Sequence, residues 1–180
     1  MRIKASDSVG LIIDVQSRLF PFIFENEKLA DNIVKLVNGL KVLGIDIIVT
    51  EQYSKGLGNT IEPILSSLEE YKYFEKMSFS CCGFDDFNNE IKLKNKKNII
   101  IAGIESHVCV LQTVLDLIQM DYQPVVIEDC ISSRRINDKN IAVRRMRKEG
   151  AIISTYESIL FELLEVSGTE QFKAISKIVK

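Results

Sequence analysis

Three side chains in this sequence could share one reaction. Asp14 closes the apolar run LIID, Lys76 follows an aromatic-rich stretch, and Cys109 follows a turn at Gly103. A carboxylate at the end of an apolar strand is poorly placed for core packing. It either bonds a neighbouring loop or acts as general base beside a nucleophile. The run Gly103-Ile104-Glu105-Ser106-His107-Val108-Cys109 reads as strand end, sharp turn and helix start. A helix N-terminus favours a thiolate through its macrodipole, and its free N–H groups can hold a developing oxyanion. The competing reading makes Cys109 a buried structural thiol on an apolar helix. Lys76 is either a solvated lysine or a fixed positive charge that steadies the thiolate. If Asp14 is the base, Asp14→Asn is expected to raise the pKa of Cys109.

Other candidates carry less. Cys81 and Cys82 are core or surface thiols near the same edge, and Cys130 sits just after a strand, where packing is the simpler role. Glu51-Gln52-Tyr53 follows the second strand, where small-molecule contacts can lie. Gly56-Leu57-Gly58 lacks the GxxxxGK[ST] pattern of a phosphate-binding loop and fits a tight turn. Arg134-Arg135 reads as a solvated loop, with an anion site as the alternative. His107 lies two residues before Cys109, a spacing at which the two side chains diverge on a turn or helix. It is the only histidine, which leaves a His-based metal site without ligands.

The elements that must position these residues are legible from the apolar runs. Residues 9–15 (VGLIIDV), 45–50 (IDIIVT), 98–102 (NIIIA), 124–128 (PVVIE) and 151–155 (AIIST) are apolar almost throughout. Such runs mark strands buried on both faces, hence a parallel sheet. Residues 71–75 form a weaker strand, short or near an edge. Helical spacing fills the gaps at 26–43, 84–93, 108–120, 138–148, 158–166 and 170–179. Gly44 and Gly150 stand as stops after two of them. Alternating strand and helix predicts an α/β fold, a single three-layer domain over residues 1–180 with a mostly parallel sheet between two helical layers. Ligands in such folds bind outside the carboxyl ends of the strands, where Asp14, Lys76 and Cys109 would converge.

Composition excludes other classes. The 23 Lys and Arg against 25 Asp and Glu leave a net charge of −2. The pI near 5.6 is far from the basic footprint of a nucleic-acid-binding domain. No polybasic tail suggests an anionic membrane, and no apolar run approaches the length of a membrane span. The first residues lack the apolar core of a signal peptide. Four cysteines whose spacing fits neither a disulfide framework nor a zinc knuckle point to a reducing, cytoplasmic compartment, with a mitochondrial presequence left open.

Taken together, LIIDVQ with Asp14, FEKMSFS with Lys76 and AGIESHVCVLQTVLD with Cys109 resemble the isochorismatase-like cysteine hydrolases, in the order of that superfamily's Asp–Lys–Cys triad. TEQYSKGLGNT, EDCISSRRINDKNIAVRRMRKEGAIISTYESILFELL and FKAISKIVK extend the resemblance to the isochorismatase domain-containing proteins, over roughly residues 8–180. The resemblance implies a parallel sheet of about six strands. It implies a Cys109 nucleophile, Asp14 as base, Lys76 holding the ion pair, and a thioester-type intermediate from a small amide, imide or ester. It also implies an oxyanion hole from the N–H groups of Glu105 and Cys109, with a cis peptide at Ile104–Glu105. Where metal-binding nicotinamidases carry Asp-x-His, this chain reads Glu51-Gln52-Tyr53, so no catalytic metal, no cofactor and no nicotinamidase activity are expected. The acidic Glu105 is expected to narrow or recharge the pocket. Phe20, Tyr53 and Phe79 are expected to contact substrate. Relatives suggest a homo-oligomer. The competing class is a binding or scaffold protein that keeps the fold with an inert triad.

Overall fold

The computed structural model describes residues 2–68 and 71–180. Six strands form one sheet: β1 Ser8–Ile13, β2 Ile47–Gln52, β3 Lys72–Lys76, β4 Asn98–Ile104, β5 Gln123–Ser132 and β6 Ile152–Ser154. The order across the sheet is β3-β2-β1-β4-β5-β6, and every pairing is parallel. The helices are α1 Asn26–Val42, α2 Ser54–Leu57, α3 Glu62–Ser67, α4 Asp85–Lys94, α5 Leu111–Gln119, α6 Ile136–Glu149, α7 Tyr156–Leu164 and α8 Glu170–Ile178.

The period of two explains the uninterrupted apolar runs. In β1, Val9, Leu11 and Ile13 pack on one face while Ile12 packs on the other. In β4, Ile99 and Ile101 face one way, and Ile100, Ala102 and Ile104 the other. Each face is covered, so neither set of positions can be polar. Residues of α1, α3, α7 and α8 fill one cluster, and those of α4, α5 and α6 fill the second. This division follows from right-handed crossovers. The chain runs outward from β1 to β3, returns to β4, then runs outward the other way.

Both edges are shorter than the centre. β3 has five residues and exposed side chains, as expected for the weaker strand. β6 has three, all half-buried, so the prediction of a strand over 151–155 buried on both faces is corrected to a short edge strand. β5 runs longer than its apolar stretch. Between Ile101 and Gly103 of β4, the partner on β5 jumps from Val126 to Ile131.

Gly103 lies beside Ile13 at that shift, with φ +129°. A Cβ there would overlap the Ile13 carbonyl oxygen and come within 2.6 Å of the Ile13 nitrogen. Backbone cannot yield as a side-chain tip can, so only glycine fits. Gly103→Ala is therefore expected to cost more than about 3 kcal/mol, read as a fall in the urea midpoint or failure to fold. Among the described residues, no helix is long and apolar enough to cross a membrane.

Candidate active site

The carboxyl ends of β1, β2, β3 and β4 meet at one edge of the sheet. Strand order reverses between β1 and β4, which opens the crevice where α/β sheets bind ligands. Asp14 is the first residue beyond β1. Its left-handed backbone (φ 52°), tolerated by Asp better than by most residues, ends the strand there. Gln52 closes β2, Lys76 closes β3, and Cys109 sits in the turn after β4.

Asp14 and Lys76 are buried, 1% and 3% exposed, and form a salt bridge of 2.6 Å from Nζ to Oδ2. Lys76 also donates to the carbonyls of Ser78 at 3.1 Å and Phe79 at 3.0 Å. Its three N–H donors thus have three acceptors, as a buried ammonium requires. The Thr50 hydroxyl donates to the other Asp14 oxygen at 2.8 Å. Its oxygen also lies 3.8 Å from the Cys81 sulfur. The alternative of a solvated lysine is thereby excluded. Burial lowers the Lys76 pKa, but Asp14, then Cys81 and Cys109, outweigh it and the net shift is upward.

Cys109 lies in a five-residue π turn, Ser106–Val110, that leads into α5, rather than in the first turn of an α-helix. The amides of Val108 and Val110 both donate to the Glu105 carbonyl. Thr113 donates to the Cys109 carbonyl at 2.7 Å and accepts from the Cys81 amide at 3.0 Å, which ties the Cys109 turn to the Cys81 turn. Burial pushes the Cys109 pKa well up and the Asp14 charge pushes it further, while Lys76 pulls it down. Because the Asp14 charge raises it, Asp14→Asn is expected to lower the Cys109 pKa, the opposite sign to the expectation from the sequence. Cys81 is pushed up to about 11 and Cys82 to about 12, chiefly by burial. Cys130 is buried and its pKa is pushed up the same way, in line with a packing role.

A cavity of about 340 Å³ opens over Cys109. Its walls are Leu19, Tyr53, Leu57, Met77, Phe79 and Val108, with Gln52, Glu105 and Cys109 supplying the polar positions. Of the three residues expected to contact substrate, Tyr53 and Phe79 line it. Phe20 does not: it packs against the core beneath α1, and its neighbour Leu19 takes the wall. The peptide Ile104–Glu105 is cis. The Glu105 carboxylate does not recharge the pocket. It accepts from the Arg134 backbone amide at 2.9 Å and from Arg134 Nε at 3.1 Å. Arg134 and Arg135 are exposed in the loop before α6, as the solvated-loop reading expects, and Arg134 also pairs with Glu105. His107 turns away from Cys109, with Nδ1 3.0 Å from the Ser133 hydroxyl. Among the described residues, no group of three or more His, Cys, Asp or Glu could hold a metal ion.

The stretch after β2 divides its labour. Glu51 is buried and accepts from the Thr60 amide, the Thr60 hydroxyl at 2.8 Å and the Tyr73 hydroxyl at 3.1 Å, so it holds a loop. Gln52 faces the site: the Cys109 sulfur lies 3.5 Å from its Oε1. Gln16, fully buried, grips the Gln52 backbone at both ends, accepting from its N–H at 2.8 Å and donating to its carbonyl at 3.0 Å. The sequence reading passed over Gln16 and Gln52 as individual residues. The signal was the one that marked Asp14: a polar side chain at or just past the carboxyl end of an apolar strand.

The family model for the isochorismatase domain matches residues 8–158. The chain is 39% identical over 184 residues to isochorismatase family protein 1B of Dictyostelium discoideum, covering 99% of this chain and 89% of that one. It is 30% identical over 178 residues to isochorismatase domain-containing protein 2 of Danio rerio, with 99% and 89% covered. Among solved structures it superposes on the MAR1 ribonuclease from Caenorhabditis elegans with a TM-score of 0.93 and 34% identity, covering 99% and 92%. Six parallel strands, a buried acid–lysine pair and a thiol at the switch point agree with those matches, and the chain belongs to the isochorismatase family of hydrolases.

Proposed function

We propose that the chain is a cysteine hydrolase of a small amide, imide or ester, with Cys109 as nucleophile, Asp14 as base and Lys76 as the fixed cation. The observation that carries this is the buried 2.6 Å Lys76–Asp14 pair, held against a thiol that lines an apolar cavity. A buried ion pair is a poor stabiliser compared with apolar packing of the same volume, so its presence at the carboxyl edge of the sheet supports a chemical role.

The thiol proton passes to Asp14 as sulfur attacks the carbonyl carbon. Lys76 keeps the developing thiolate and the carboxylate in one electrostatic well. The carbonyl oxygen becomes an oxyanion and is received by the backbone N–H groups of Glu105 and Cys109. The bond to the leaving group breaks, and Asp14 returns its proton to that group. Water then attacks the thioester, Asp14 takes its proton, and the carbon–sulfur bond breaks to free the acid and the thiol. No metal or cofactor enters this scheme. The hydrolase unit takes in residues 1–180: α8, beyond the matched segment, sets Ile175 into the same core as α1, while Met1 lies outside the described residues. A homo-oligomer is part of the proposal, with exposed Phe22, Met77 and Leu93 as apolar surface for it to cover.

The test is intact-mass spectrometry during turnover of a panel of small amides and esters. An acyl adduct on Cys109, and loss of both adduct and turnover in Cys109→Ala with an unchanged melting temperature, is the expected result. If no member of the panel is turned over and none acylates Cys109, the scaffold alternative stands instead. RNA is the control substrate, because the nematode neighbour is named a ribonuclease. Lys76 is paired with Asp14 and Arg134 with Glu105. RNA cleavage that disappears in Cys109→Ala would overturn the amide and ester assignment.

A further inference from the structure

We infer that Gln52 is a specificity residue that reads an N–H on the scissile nitrogen, so the enzyme selects carboxamides bearing N–H over esters and fully substituted amides. This rests on the proposed hydrolase chemistry at Cys109 and deepens it.

The orientation of Gln52 is fixed from three sides. Gln16 holds its backbone N–H and carbonyl, and Gln16 is itself held by the Gly58 carbonyl at 2.6 Å. The Gln52 amide nitrogen donates to the Met77 carbonyl at 3.3 Å. A carbonyl can only accept, so the amide nitrogen must face it and the oxygen must face the opposite way. That direction is the thiol, with Oε1 3.5 Å from the Cys109 sulfur.

The thiol's hydrogen bond in this structure is to the Gln52 oxygen, and in the proposed reaction its proton leaves for Asp14. When it moves to Asp14, the Gln52 oxygen loses its donor while facing a sulfur that has become electron-rich. An N–H on the reacting group restores a donor to that oxygen. An ester oxygen in the same place sets lone pair against lone pair and leaves the oxygen unpaired in a largely apolar cavity. The layout of the sheet agrees. The oxyanion donors come from the chain after β4, Gln52 ends β2, and Asp14 lies between them at the end of β1. A carbonyl carbon over the sulfur with its oxygen toward Glu105 and Cys109 directs one of its two substituents toward β2, and the inference assigns the nitrogen to that side. A site that hydrogen-bonds a substrate N–H discriminates strongly against analogues lacking it, because its own polar group is then left unpaired.

The experiment compares acetyl p-nitroanilide with its N-methyl analogue and with p-nitrophenyl acetate. The readout is the ratio of kcat/KM for the N–H anilide to each of the other two, in the wild-type enzyme and in Gln52→Met and Gln52→Glu. The expected result is that Gln52→Met lowers both ratios at least tenfold, whatever happens to the absolute rates. Gln52→Glu, which keeps an acceptor oxygen, retains most of the N–H over N-methyl preference. Loss of rate in Gln52→Met by one common factor on all three substrates makes Gln52 a structural residue and overturns the inference while leaving the hydrolase assignment intact. Turnover of p-nitrophenyl acetate with no preference for the N–H anilide over its N-methyl analogue in the wild-type enzyme also overturns the inference and leaves the hydrolase assignment, which the wider panel tests, intact. If Gln52→Met does not fold, as read by its circular dichroism, the ratio in Gln52→Glu decides: a fall as large as tenfold overturns the inference.

Discussion

Asp14→Asn is expected to uncouple thiol acidity from turnover. In the wild-type protein, burial and the Asp14 charge both hold the Cys109 thiol neutral, against the pull of Lys76. The sign follows directly. Removing a negative charge beside an acid stabilises its ionised form, so the Cys109 pKa falls in the variant. The Lys76 ammonium, left without its carboxylate, is then matched by a thiolate. Iodoacetamide labelling followed by peptide mass spectrometry should show Cys109 of the variant reacting at lower pH than the wild type. Hydrolysis should nevertheless fall by about 10²–10⁴-fold, the usual contribution of a positioned base. Loss of structure would also expose the thiol and lower its pKa, but it would bring Cys82 and Cys130 into labelling along with Cys109, whereas the charge effect acts on Cys109. If Cys109 in the variant labels only at higher pH than in the wild type, the electrostatic picture of the site is wrong. If labelling shifts as expected but turnover persists, the base lies elsewhere. Cys82 and Cys130 are internal controls, since burial dominates both and Asp14 does not act on either.

Lys76→Met carries the second large effect, and it falls on stability as well as activity. The ammonium is the partner of a buried carboxylate and also fastens the Ser78 and Phe79 carbonyls. Removing one member of a buried pair costs about 3–5 kcal/mol, because the other is left uncompensated. The Ser78–Phe79 segment also loses its anchor, and Phe79 is a wall of the cavity. The expected outcome is a lower urea midpoint together with loss of turnover. The double variant Lys76→Met/Asp14→Leu removes both charges and should recover much of the stability and none of the activity. A double variant as unstable as the single one would show that the two hydrogen-bonded carbonyls, not the unpaired carboxylate, carry the cost. An active Lys76→Met enzyme would remove Lys76 from the mechanism.

Burial gives these two variants a common logic. Asp14 and Lys76 are buried, and a low-dielectric site is where a fixed cation acts most strongly on a developing thiolate. The same burial pushes the Cys109 pKa up, with Lys76 acting against it.

By itself the sequence determined the α/β architecture, because strands covered on both faces must be apolar almost throughout, and 9–15 and 98–102 are. It also singled out Asp14, Lys76 and Cys109 beyond strands at one sheet edge, while a packing or solvated role stayed open for each until the family resemblance was added. It could not determine the charge state of Cys109. That depends on a carboxylate and a lysine brought from far along the chain, and on burial summed over every element around the thiol. Nor could it choose Leu19 over Phe20 for the cavity wall, because the turn after β1, not a helical or strand period, decides which side chain faces inward. Glu105 reads as a charge for the pocket until Arg134, from the end of β5, captures it. Gln52 became a candidate only when Gln16 and the Met77 carbonyl fixed which way its amide points. Periodicity records which face of an element is covered. Where a side chain at a strand end is directed, and what charge it meets, is set by neighbours that only the tertiary fold brings together.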